Sequence, residues 1–72
     1  MEKKARFQIG DKVVNKVSKR GSYEPSILSP FSIIEVEKVE KMNDDFLYTC
    51  EYDGYKFSEN ELFSLQEYKE TL

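Results

Sequence analysis

The sequence predicts a small, mainly β domain of five strands with one helical turn near its C-terminus. Three observations point there. "FLYTCEY" places Phe46, Tyr48, Cys50 and Tyr52 on one side and Leu47, Thr49 and Glu51 on the other, the period of a half-buried strand. Asp53-Gly54 follows directly, and a two-residue type I′ hairpin turn needs positive φ twice, which favours such a pair. "SENELFSL" then carries a capping box, Ser58 with Glu61 three residues on, the signature of a helical start.

The elements follow in order. "FQIGDKVVNKV" opens with Phe7 and Ile9, turns at Gly10-Asp11 and enters a β-branched run at Val13, Val14 and Val17, the first strand. "SKRGSYEPSILSP" has Gly21, Pro25, Pro30 and four serines that break any periodicity, and reads as a long irregular loop. "PFSIIEVEKVEKMN" admits two readings. As a helix it has Ser32 with Glu35 as a capping box and Ile33, Val36, Val39 and Met42 at spacing three. As a strand it is mostly β-branched, with breaks of alternation that bulges absorb. The strand over 33–39 is preferred, because the alternating segment after the "NDD" turn supplies its partner. With the two-residue turn at 53–54, Tyr52 falls opposite Tyr55 and Cys50 opposite Phe57, so both strands put aromatics on one face. After Ser58, either a single turn leads to a short last strand at 62–65, or a helix carries Leu62, Leu65, Tyr68 and Leu72 to the end. The turn and strand are preferred, with a mobile or helical tail. The divisions are a tail at 1–6, a domain at 7–65 and a C-terminal tail at 66–72.

Seventy-two residues make one domain. A chain this short buries only roughly 60% of its unfolded surface. One cysteine and no histidine leave no internal disulfide and no ordinary structural zinc site. Stability must come from an apolar core of five Phe, five Tyr and the aliphatic residues. The N-terminal stretch lacks an apolar signal region and no run approaches a membrane span, so the expectation is a cytoplasmic protein without membrane contact. Net charge is −3, unevenly spread. Residues 1–20 carry Lys3, Lys4, Arg6, Lys12, Lys16, Lys19 and Arg20 against Glu2 and Asp11, and the remainder carries four lysines against twelve acids. Self-neutralising contacts across the fold are the simplest meaning of that asymmetry; orientation of a partner is the other.

The opening "F-x-I-G-D-K-V" resembles the "x-G-D-x-V" start of bacterial and phage SH3-like modules, including KOW, Tudor-like and CarD-type domains; Phe7, Gly10, Asp11 and Val13 match. The close resembles theirs too, where a short hairpin strand runs into "E-x-E-L" at the single turn before the last strand, matched by Glu59, Glu61 and Leu62. The resemblance spans residues 7–65 and implies a five-stranded SH3-like barrel. It departs from the polyproline-binding SH3 domains, whose "A-L-Y-D-Y" loop and Trp platform are absent, which counts against polyproline as the ligand. KOW modules that hold RNA are usually basic, whereas this chain is acidic.

Catalysis is not expected. Without histidine the usual general base near neutral pH is missing, and Ser–His or Cys–His pairs cannot be built. Cys50, mid-strand on the apolar side, reads as a buried structural thiol. Asp44-Asp45 and Glu59/Glu61 fit turn solvation and helix capping, and no phosphate loop or EF-hand spacing occurs. No cofactor or metal is implied. In SH3-like barrels the first long loop and a hairpin tip flank the usual ligand groove, which singles out Tyr23 and Tyr55 as exposed partner-binding aromatics. Beside Tyr23 lie Lys16, Lys19 and Arg20. The expected function is a non-enzymatic binding module of a bacterial or phage accessory protein, an adaptor or inhibitor working through protein contacts. The alternative is a nucleic-acid-associated module using the basic loop 16–23.

Overall fold

The computed structural model describes residues 4–21, 26–51 and 54–71. Gly10 takes φ 95°, a value that the lack of a Cβ makes accessible. Its N–H donates to the Val36 carbonyl at 2.8 Å, and the Val36 N–H donates to the Asp11 carbonyl at 2.9 Å. The Asp11 carboxylate accepts the Gln8 N–H at 2.9 Å. The expected turn is therefore present, and it delivers the chain into β1 (Lys12–Asn15). β1 stops short of Val17, which is exposed. The stretch expected as irregular loop holds a small hairpin, β2 (Lys19–Arg20) paired with β3 (Ile27–Leu28). Strands of two residues are too short to show a period, so alternation passes over them.

β4 (Ile33–Met42) is strand throughout, and the helical reading of this segment falls. Its first part pairs with β1 and its second with β5 (Asp45–Cys50). The register shifts between Val36 and Lys38, and such a bulge bends and twists a strand, so β4 can serve both neighbours. Asn43, at φ 58°, turns β4 into β5. β6 (Tyr55–Ser58), a 3₁₀ turn at Glu59–Glu61, β7 (Leu62–Ser64) and helix α1 (Leu65–Thr71) complete the chain. The Ser58/Glu61 capping box is formed, with the Ser58 N–H donating to Glu61 Oε1 at 3.0 Å. The last strand is therefore 62–64, and the tail is helical. The five long strands form one antiparallel sheet in the order β6-β5-β4-β1-β7. Among the described residues no ladder joins β6 to β7, and the sheet is not closed into a barrel.

The β5–β6 connection differs from the expected two-residue turn. Cys50 pairs with Tyr55 and Tyr48 with Phe57, so residues 51–54 connect the strands. Tyr52 and Asp53 lie outside the described residues, and Tyr55 faces Cys50 instead of Tyr52. Glu51 (φ 61°) and Gly54 (φ 76°) both take left-handed backbone, and the Gly54 N–H donates to the Glu51 carbonyl at 3.1 Å. The slip is two residues, an even number, so every side chain keeps its face.

That face is the core. Phe7, Val13, Ile34, Val36, Tyr48, Cys50, Tyr55, Phe57 and Leu62 pack together. Phe7 and Tyr48 meet edge to face at 5.3 Å. The Tyr48 hydroxyl donates to Glu59 Oε2 at 2.6 Å, and the Arg6 N–H donates to both oxygens, at 3.0 and 3.1 Å. Burial, then the Glu59 bond, pushes the Tyr48 pKa up to about 12. Burial likewise pushes the Cys50 thiol up to about 12. No helix among the described residues is long and apolar enough to cross a membrane.

Candidate protein-docking face

Adjacent residues of a strand point to opposite faces. Three neighbouring strands here carry apolar doublets, Val13-Val14, Ile33-Ile34 and Leu62-Phe63. The first face takes Val13, Ile34 and Leu62 into the core. Register places the other three together, since Val14 lies opposite Ile33 on one side and Phe63 on the other. The sheet is apolar on both faces at this end. Helix α1 packs on β1 and β7 and helps bury Val14 completely, but Ile33 stays 62% exposed.

α1 is set in place by a second capping box. The Glu67 N–H donates to Ser64 Oγ at 3.1 Å, and the Ser64 N–H donates to Glu67 Oε1 at 2.9 Å. Glu67 also pairs with the Arg6 guanidinium, tying the N-terminal segment to the helix. The Ser64 N–H and the Arg6 charge hold the Glu67 carboxyl below its usual range. Tyr68 then falls between two rings, stacked with Phe31 at 6.2 Å and tilted against Phe63 at 6.3 Å.

Phe31 is 56% exposed and sits at φ 63°. A non-glycine residue pays roughly 1–2 kcal/mol for that conformation. Asn15 imposes it. Its carboxamide is fully buried, donating to the Val17 and Ser29 carbonyls at 2.7 and 2.8 Å and accepting the Ser32 N–H at 2.9 Å. The Asn15 carbonyl accepts the Phe31 N–H at 2.8 Å. A large apolar ring is thus held outward, in strained backbone, by bonds to the residues on either side of it.

Charge completes the face. Lys12 pairs with Glu35 at 2.8 Å, Lys19 with Glu61 at 3.0 Å, and Arg6 with Glu67. Burial works against ionisation of Glu61, but the Ser58 N–H and Lys19 outweigh it and its pKa lies below the usual value. Lys16 differs. Its ammonium lies 4.4 Å from the Phe63 ring centre, in cation–π contact.

Among the described residues expected to bind a partner, Lys19, Arg20 and Tyr55 lie at the β2–β3 hairpin and Lys16 lies apart from them, against Phe63. Tyr55 is buried at 6% exposure, against the expectation that it is open, because its hydroxyl shares a 2.5 Å hydrogen bond with Ser26 Oγ under the β2–β3 hairpin. Lys19 is committed to Glu61, Arg20 is exposed on the hairpin, and Tyr23 lies outside the described residues. Of the described members of that set, only Lys16 joins the outer face. No local pattern marks Phe31, Ile33, Phe63 and Tyr68 as a site, although the apolar doublets signal a two-sided sheet. The described residues enclose no cavity and gather no group of three or more metal-binding side chains. What the arrangement offers is an apolar surface, exposed at Phe31 and Ile33 and half-buried at Phe63 and Tyr68, with a cation at its rim. Comparison with protein families, curated proteins and solved structures returned no match to this chain.

Proposed function

We propose that this protein is a non-enzymatic, cytoplasmic binding module of the SH3-like kind, an adaptor or inhibitor of a bacterial or phage machine that docks another protein on its outer face. The observation that carries the docking reading is Phe31, kept exposed in strained backbone by the buried Asn15. Strain of this type persists where surrounding bonds over-determine it, and it concentrates at working surfaces. Exposed aromatic and aliphatic groups with a cationic rim are also the composition of interface hot spots. For the SH3-like part, support comes from the strand order β6-β5-β4-β1-β7, the bulge that lets β4 serve both neighbours, and the single turn before β7.

The test is capture from a lysate with the wild-type protein and with Ile33→Asp, with and without nuclease. Ile33 is exposed, so the charge disturbs the face and spares the core. Loss of a nuclease-resistant partner in Ile33→Asp is the expected result. Equal capture by both proteins contradicts the docking face. Capture abolished by nuclease, or by Lys19→Glu plus Arg20→Glu alone, transfers the function to nucleic acid.

A further inference from the structure

The electrostatics of the outer face go one step further than the docking reading, on which this inference rests. A face of this acidic protein would be expected to repel acidic partners. Yet two of the carboxylates beside it are paired, Glu35 with Lys12 and Glu67 with Arg6. The Glu67 carboxyl lies below its usual range, so it stays ionised and its pair with Arg6 stands at neutral pH. Lys16, by contrast, has no ion pair among the described residues. Its ammonium rests against Phe63, which leaves N–H donors available beside the apolar surface. Lys16 thus sets a positive charge, without an ion pair among the described residues, against Phe63, whose ring meets Tyr68 and through it Phe31.

We propose that the outer face recognises a short acidic peptide segment of a partner protein, in which a carboxylate bonds Lys16 while a neighbouring aromatic or aliphatic side chain lies on Ile33, Phe31 and Phe63. The two contacts need each other. A single exposed ion pair contributes little alone, and an apolar anchor alone has no preference among sequences. Held side by side, the anchor excludes water from the ion pair and strengthens it. The cation–π contact fixes the ammonium in advance, which lowers the ordering cost of binding. A basic segment meets the mismatch directly, since Lys16 repels it and the paired glutamates are already occupied.

The experiment is a selection of random displayed peptides on the wild-type protein, followed by titration of the tightest peptide against wild type, Lys16→Glu, Lys16→Met and Ile33→Asp. The expected peptides carry Asp or Glu next to Phe, Leu or Trp. Their affinity falls about tenfold in Lys16→Glu, falls less in Lys16→Met, and is lost in Ile33→Asp. Peptides that need Ile33 but show no acidic preference and bind Lys16→Glu unchanged overturn the acidic-segment inference and leave the docking face standing. Peptides indifferent to Ile33→Asp, or a selection that yields none, overturn both. A circular-dichroism melt of each variant separates lost binding from lost folding. If Ile33→Asp is unfolded, Ile33→Ser takes its place under the same criteria.

Discussion

Replacing Asn15 by Ala removes a side chain that is fully buried and fully bonded. The Val17 and Ser29 carbonyls lose their donor, and the Ser32 N–H loses its acceptor. At about 1 kcal/mol for each, the loss is about 3 kcal/mol. A domain of this size has roughly 4–11 kcal/mol of stability, so the change is a large share of it. The thermal midpoint should fall by roughly 12–24 °C. Asn15→Asp should be worse at neutral pH, because it keeps the acceptor for Ser32 but turns a carboxylate oxygen toward two carbonyl oxygens. Urea unfolding followed by circular dichroism reads both changes, and an unchanged slope shows that the comparison is one of stability. If Asn15→Ala lies within about 0.5 kcal/mol of wild type, Asn15 does not organise the segment that presents Phe31.

Phe31→Gly should be more stable than Phe31→Ala by about 1 kcal/mol, because only glycine sheds the φ 63° strain, while both variants lose partner binding; equal stabilities would mean the backbone there is unstrained. Cys50, buried with its pKa pushed up to about 12, should react with a thiol reagent only on unfolding, and rapid labelling of the native protein would show that the core face opens. Glu61 and Glu67 have folded pKa values below the ordinary 4.5, so they contribute stability above that pH that is lost as pH falls through the lowered values. Glu67→Gln, which keeps an acceptor for Ser64, should flatten the acid limb of the stability curve, and an unchanged limb would remove the Arg6–Glu67 pair from the fold.

The strands with a clear signal were legible, and so was their core. Alternation at Tyr48 and Cys50, the Gly10 turn and the Ser58/Glu61 box each needed only neighbouring residues. The β5–β6 register was missed because Asp53-Gly54 invites a two-residue turn, whereas the left-handed Glu51 extends the connection to 51–54. No local propensity favours a glutamate there. The core faces came out correctly despite the slip because it was even. The candidate site was legible only in part. Lys16 stands out in the sequence for its neighbours in the loop, whereas its ring partner Phe63 lies on the neighbouring strand β7. Tyr55 was expected in the open because it follows a turn, and the β2–β3 hairpin that covers it left no pattern in two-residue strands. The docking face depends on three doublets lying in register across β4, β1 and β7, which only the sheet order reveals.

Chemical-shift mapping of the isotope-labelled protein, titrated with the tightest displayed peptide, tests the docking face most directly. Docking there predicts amide shifts grouped at Val14, Lys16, Ile33, Phe63 and Tyr68, with β2, β3 and the Asn43 turn unmoved. Shifts grouped at Lys19, Arg20 and Ile27, or at Asn43 and Asp44, with the outer face silent, would contradict it.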